Sequence, residues 1–138
     1  MALSFHHVGI ACHDLMLEMQ RLTPLGYRQE GVSFVDQTQG VEGIFMNGGG
    51  PRLEILRPLH EHGVLFPWLK AGKKLYHLAY TVGGELEQEL SELRSQGAKL
   101  VVAPVPATAF HGAEICFLML PNMLLVELIA GDIENKHS

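Results

Sequence analysis

The pattern of apolar and polar positions divides the chain into short units of two kinds. A helical period of apolar residues predicts one helix at 15–22, behind an N-cap at Asp14, and another at 85–96, before Gly97. Runs of apolar and β-branched residues between turn residues predict the strands at 5–12, 26–35, 43–46, 52–56, 75–82, 99–103, 114–120 and 123–129. The order strand, helix and three strands therefore occurs twice.

The two halves also match residue by residue. FHHVGIACHDL aligns with KLYHLAYTVGGEL when His7 is set on His77, and PRLEIL aligns with LLVELI when Glu54 is set on Glu127. Two modules of this size are too small to close a core alone, so we expect an α+β fold in which two tandem βαβββ modules pack together. The predicted boundaries within this single domain are module one at 3–58, a linker at 59–73, module two at 74–131 and a polar tail at 132–138.

Composition and charge argue against several classes of partner. The formal charge of −5 and the scattered basic residues do not favour nucleic acid. No apolar run approaches the roughly 20 residues that span a bilayer, and the N-terminus lacks a secretion signal, so we expect a cytoplasmic location and no membrane contact. Cys12 and Cys116 lie in apolar strand-like segments and are expected to be reduced core residues.

A glutamate interrupts an apolar strand at the same place in each half. A buried carboxylate costs many kcal/mol unless it is paired or metal-bound, so Glu54 and Glu127 need a partner. A lone histidine in a strand is usually a core residue, but His7 and His77 stand at matching places, and packing about a pseudo-two-fold axis would join them to both glutamates. Two nitrogens and two oxygens suit one divalent ion, such as Zn, Ni, Co, Mn or Fe(II).

Four segments that span nearly the whole chain carry a resemblance to a known family. HHVGIACHDL, RLEILRP, LYHLAYTV and FHGAEICFLMLPNMLLVEL resemble the vicinal oxygen chelate superfamily, and within it the methylmalonyl-CoA epimerases. The resemblance implies a curved mixed sheet that forms a cup around a metal site. It also implies that the ligands are His7, Glu54, His77 and Glu127, the residues that the repeat selects.

The resemblance further implies enolate chemistry. We expect a metal-dependent isomerase, epimerase or lyase, epimerase-like or glyoxalase-like, whose substrate is an acyl-CoA or a similar small carbonyl compound. Epimerases of this kind use a carboxylate one strand before the second ligand as a base. The alignment places Gly43 there, with Glu42 one residue earlier and on the opposite face unless a bulge shifts it. The candidate catalytic residues are the ligand Glu127, Glu42, and His111, whose loop borders the substrate in the family.

Two other functions of the same fold stay open. An Fe(II) dioxygenase uses two histidines and one carboxylate, so a fourth ligand at Glu54 argues against that class. A ligand-binding or resistance module keeps the cup without a metal, and the retained ligand set counts against it. We expect a homodimer, because a second subunit commonly covers the edges of small sheets. Surface or packing roles are expected for His6, His13, His60, His62, Tyr76 and Tyr80.

Overall fold

The computed structural model describes residues 3–131 of the chain. It has the α+β architecture that the sequence predicts, with the order strand, helix and three strands present twice. The first set comprises β1 (Leu3–Ala11), α1 (Leu15–Leu22), β2 (Arg28–Asp36), β3 (Val41–Asn47) and β4 (Leu53–Pro58). A short helix, α2 (Phe66–Lys70), precedes the second set, which comprises β5 (Leu75–Val82), α3 (Leu86–Ser95), β6 (Lys99–Pro106), β7 (Glu114–Met119) and β8 (Leu125–Ala130).

The strand order is β2-β3-β4-β1 in the first set and β5-β8-β7-β6 in the second. The chain folds as two compact units, a first unit of residues 7–76 and a second unit of residues 77–131 with residues 3–6. In the first unit, β4 is parallel to β1 and antiparallel to β3, which pairs with β2. In the second unit, β8 is parallel to β5 and antiparallel to β7, which pairs with β6. Each unit thus repeats the same strand pairing.

Helix α1 covers one face of the strands in the first unit. The Asp14 carboxylate accepts a hydrogen bond from the backbone N–H of Leu17 at 3.1 Å, which caps the start of the helix. Gly26, with φ of 99°, then turns the chain back toward β2 in a conformation that glycine adopts without strain. The apolar side of α1 packs on a core that includes Ile44 and Ile55.

Helix α3 covers the corresponding face of the second unit. Its buried residues Leu86 and Leu90 pack against Cys116 and Leu128 in one apolar cluster. Gly97, with φ of 101°, follows the helix, as the sequence predicts. No helix within residues 3–131 has both the length and the apolar character to cross a bilayer.

Side chains alternate between the helix-covered face and an opposite face of each unit. We call the opposite face the ligand face. In the first unit it carries His7, Phe45 and Glu54, and in the second unit it carries His77, Phe117 and Glu127.

The predicted elements are confirmed, with differences at their ends. Strand β6 continues to Pro106, beyond the predicted end at residue 103, because an edge strand tolerates proline. Part of the predicted loop after it is a 3₁₀ turn, Thr108–Phe110. The segment predicted as a linker contains α2. The module boundaries stay predictions, and the predicted tail at 132–138 lies outside the described residues.

Candidate metal centre

The first unit brings one histidine and one glutamate together on its ligand face. Gly9 of β1 pairs with Glu54 of β4, so His7, two residues before Gly9, projects from the same face. His7 Nε2 lies 3.0 Å from Glu54 Oε1. The two residues are 0% and 4% exposed, so the pair is shielded from bulk water.

The second unit repeats this arrangement. Ala79 of β5 pairs with Glu127 of β8, and His77 lies two residues before Ala79. His77 Nε2 lies 3.1 Å from Glu127 Oε1, and the two residues are 1% and 3% exposed. The glutamates thus occupy equivalent register positions, each beside a residue with a small side chain or none.

The four side chains fit the ligand set of one divalent ion. One donor atom from each of them lies within 4.8 Å of the others. Two ligands that are each about 2.1 Å from an ion, at right angles to each other, are roughly 3.0 Å apart. This separation matches the nitrogen to oxygen distances of 3.0 and 3.1 Å within the two pairs. The donor set of two imidazole nitrogens and two carboxylate oxygens also suits a borderline divalent ion.

Glu42 lies on the helix-covered face of the first unit, away from the ligand face. In the regular pairing of β3 with β4, Glu42 is opposite Arg57, whereas Phe45 is opposite Glu54. Arg57 Nε donates to Glu42 Oε1 at 2.6 Å, and both residues line a cavity of about 560 Å³ beside α1. The catalytic role of Glu42 stays a prediction, and this geometry argues against it.

Gly43 lies on the ligand face, but the space above it is filled. A Cβ atom added to Gly43 would lie 2.6 Å from Leu56 Cδ2 and 2.6 Å from Phe34 Cζ. Contacts that short require neighbouring atoms to move. The first unit therefore has no carboxylate at the expected base position, and its packing leaves no space for one.

His111 is an exposed residue of the second unit. It follows the 3₁₀ turn with φ of 54°, in the left-handed region that is uncommon for residues other than glycine. Its imidazole is accessible from solvent, and its catalytic role stays a prediction.

The remaining histidines of the described residues, together with Tyr76 and Tyr80, have the surface or packing surroundings that the sequence predicts. His6 is buried, and its ring packs edge-to-face against Phe110 with 5.8 Å between centroids. Tyr76 and Tyr80 make edge-to-face contacts with neighbouring aromatic rings. The exposed histidines include His13, His60 and His62.

The two cysteines are free, buried thiols. Cys12 belongs to the apolar cluster of the first unit, and Cys116 belongs to that of the second. Burial raises the pKa of each thiol to about 11. Both thiols are therefore in their protonated, unreactive form near neutral pH.

Two phenylalanines outside the predicted site contact the candidate ligands. The Phe45 ring packs against His7, and the Phe117 ring packs against His77. A signal for them is present in the sequence, because each phenylalanine lies in the strand that precedes the ligand glutamate and aligns with its counterpart in the other half.

The sequence and the fold both have relatives. A family model described as the Glyoxalase/Bleomycin resistance protein/Dioxygenase superfamily matches residues 6–117, most of the chain. The chain therefore belongs to this superfamily. No protein with curated function matches the chain at a significant level.

Solved structures that share the fold include two methylmalonyl-CoA epimerases. The enzyme from Mycobacterium tuberculosis is 26% identical, with a TM-score of 0.77 over 93% of this chain and 87% of that chain. A variant from Streptomyces coelicolor, in complex with 2-nitronate-propionyl-CoA, is 25% identical, with a TM-score of 0.77 over 98% of this chain and 97% of that chain. A hypothetical protein from Bacillus halodurans C-125 is 24% identical and shares the fold, with a TM-score of 0.80 and 96% of each chain covered.

Proposed function

We propose that this protein is a divalent-metal-dependent isomerase, epimerase or lyase that acts through an enolate on an acyl-CoA or a similar small carbonyl substrate. His7, Glu54, His77 and Glu127 would hold the ion. The observation that carries the proposal is the group of four donor atoms within 4.8 Å, all on buried side chains. Membership of the superfamily and the fold shared with methylmalonyl-CoA epimerases support it.

The residues around these ligands suit enolate chemistry. A divalent ion, when bound, supplies positive charge that stabilises an enolate oxygen. Phe45 and Leu56 in the first unit, and Ile115 and Phe117 in the second, place apolar side chains on the ligand faces. Such side chains exclude water, which strengthens the attraction between charges at the site.

We propose Glu127 as the group that moves the proton next to the carbonyl. Glu42 is paired with Arg57 on the other face, and position 43 has no side chain. Glu127 Oε1 lies 3.1 Å from His77 Nε2, the spacing expected of two ligands of one ion, and the second oxygen of the carboxylate, Oε2, would accept and return the proton.

Metal content of the purified protein tests the metal centre. Mass spectrometry should find about one metal ion per chain in the wild type and none in the His77→Ala/Glu127→Ala variant. A His62→Ala/Glu61→Ala variant, which removes an exposed histidine and an exposed glutamate, should keep the ion. Absence of metal in the wild type, with no uptake from Zn, Co or Ni, would contradict the proposal.

Proton exchange in heavy water tests the chemistry separately. The metal-loaded protein should incorporate deuterium next to the thioester carbonyl of a substrate in a panel of acyl-CoA compounds. The panel includes methylmalonyl-CoA and propionyl-CoA because structures that share the fold are complexes with methylmalonyl-CoA or with 2-nitronate-propionyl-CoA. If neither these compounds nor 2-oxoaldehydes incorporate deuterium, the enolate reaction is rejected, whereas the proposed metal centre is not affected.

The alternatives have distinct outcomes. A dioxygenase needs three ligands, whereas Glu54, with Oε1 3.0 Å from His7 Nε2, would supply a fourth. Oxygen consumption with a catechol and Fe(II) would favour that class instead. Full ligand affinity after chelation, without turnover, would favour a binding module.

The assembly and location of the protein remain proposals. A homodimer would sediment with about twice the 15.2 kDa mass of one chain. The cytoplasmic location and the lack of nucleic-acid or membrane partners stay predictions from sequence.

A further inference from the structure

Each ligand histidine meets the ring of one phenylalanine at a nearly right angle. The His7 and Phe45 centroids are 5.3 Å apart, with an angle of 83° between the ring planes. The His77 and Phe117 centroids are 5.2 Å apart, with an angle of 75°. The contact is thus almost the same in both units.

Strand register explains why the contact recurs. Phe45 of β3 is directly opposite Glu54 of β4, and Phe117 of β7 is directly opposite Glu127 of β8. The histidine strand lies on the other side of the glutamate strand in each unit. Each phenylalanine therefore reaches its histidine across the strand that carries the ligand glutamate.

We propose that Phe45 and Phe117 are positioning residues that fix the ring orientation of the two ligand histidines. Rotation of an imidazole about its Cβ–Cγ bond has broad, weakly restricted minima, so the bond itself does not hold the ring in one plane. A buried ring at a right angle restricts that rotation. The nitrogen that faces the glutamate, Nε2, then stays directed at the place of the ion.

The phenylalanines are also well placed to resist displacement. Phe45 and Phe117 are both buried, and Phe45 contacts a further ring, Phe34, at 6.1 Å. Groups that orient metal ligands typically change metal affinity by about 10- to 100-fold when they are removed. The same range is expected here for each phenylalanine. The inference rests on the proposed metal centre, because it assigns the rings a role toward its ligands.

The structure provides a matched control in Phe110. Its ring contacts His6 at 5.8 Å and 83°, in the same edge-to-face manner, and it is as buried as the other two phenylalanines. His6 is not one of the candidate ligands. A loss of core packing alone would therefore affect all three leucine variants, whereas a positioning role would affect only two.

The experiment compares Phe45→Leu, Phe117→Leu and Phe110→Leu in the full chain. Co(II) affinity is measured by competition with a chelator, and the visible absorption spectrum of the bound Co(II) reports the ligand geometry. Phe45→Leu and Phe117→Leu should weaken binding by about 10- to 100-fold and alter the spectrum. Phe110→Leu should keep both the wild-type affinity and the wild-type spectrum.

The outcomes separate this inference from the metal centre itself. Wild-type affinity and spectrum in both Phe45→Leu and Phe117→Leu would overturn the positioning role while leaving the metal centre intact. Equal weakening in Phe110→Leu would also overturn it, because general packing would then explain the effect. A wild type that binds no Co(II) would reject the metal centre and this inference together. If a leucine variant does not fold, a methionine at the same position fills the space with a more adaptable side chain and takes its place in the comparison.

Discussion

The two halves of the candidate site share their ligands but differ in the residues beside them. Both have a histidine, a glutamate and a phenylalanine in the same register. Two residues before the phenylalanine, the first unit has Gly43 opposite Leu56, and the second has Ile115 opposite Ile129. The two units therefore have the same residues at the candidate ligand positions and different residues at the neighbouring positions.

The difference shows how one position can be filled in two ways. In the second unit, Ile115 fills its own place and is fully buried. In the first unit, the ring of Phe34 and a methyl group of Leu56 occupy the space above Gly43. Neither strand carries a carboxylate at this position. The proposed proton transfer would thus need one of the candidate ligand glutamates or a residue at another position.

The largest expected effect comes from neutralising either ligand glutamate. Glu54→Gln and Glu127→Gln keep the side-chain shape but remove the negative charge, so each should weaken Co(II) binding by more than about 100-fold, beyond the usual effect of an orienting group. Chelator competition measures this affinity, with the exposed Glu61→Gln as the control. If Glu54→Gln keeps the wild-type affinity and Glu127→Gln does not, the site has three ligands, as in a dioxygenase. The two halves of the site would then not be equivalent.

A smaller effect is expected from a methyl group at Gly43. Gly43→Ala should lower the free energy of unfolding by about 1 kcal/mol, because overpacking costs about 1–3 kcal/mol and the lost flexibility of glycine returns about 0.5–1 kcal/mol. Urea unfolding measures this value. The cost should fall when the substitution is made in a Phe34→Ala background, but part of it should remain, because Leu56 Cδ2 also lies 2.6 Å from the added Cβ atom. Equal costs in both backgrounds would show that Phe34 does not fill the space.

The sequence predicts the elements and the candidate ligands because both depend on short-range patterns and on the repeat. Helix α1 begins after Asp14 and ends at Leu22, as its cap and apolar period indicate. The same patterns do not predict which neighbours fill a space. Contact of Phe34 with the region above Gly43 depends on the register of β2 with β3, which includes an irregularity between Glu30 and Phe34. Such an irregularity leaves no clear signal in the alternation of residues.

The pH dependence of stability tests the buried thiols, one in the apolar core of each unit. Burial raises the pKa of Cys12 and Cys116 to about 11, so each thiol stays protonated in the folded chain at pH values where it ionises in the unfolded chain. Their contribution to stability is complete below pH 9 and is lost as the pH rises toward 11. From pH 8 to pH 10, the urea midpoint of unfolding should therefore fall less in the Cys12→Ala/Cys116→Ala variant than in the wild type. Burial also raises the pKa of Tyr27. Because Tyr27 is present in both proteins, it contributes equally to the fall in stability of each. An equal fall in both proteins would contradict the thiol contribution.

The smallest effect is expected from Glu42→Gln, and it tests which side of the sheet carries the chemistry. Glu42 pairs with Arg57 where both side chains are partly exposed, and such pairs contribute about 0–1 kcal/mol. The variant should therefore unfold within about 1 kcal/mol of the wild type, bind Co(II) equally well and keep the rate of deuterium exchange. Its contrast with Glu54→Gln would then follow from strand alternation alone, since Glu54 and Glu42 lie on opposite faces of the first unit. A much slower exchange with unchanged metal affinity would instead identify Glu42 as the base, and would require β3 to shift its register when substrate binds.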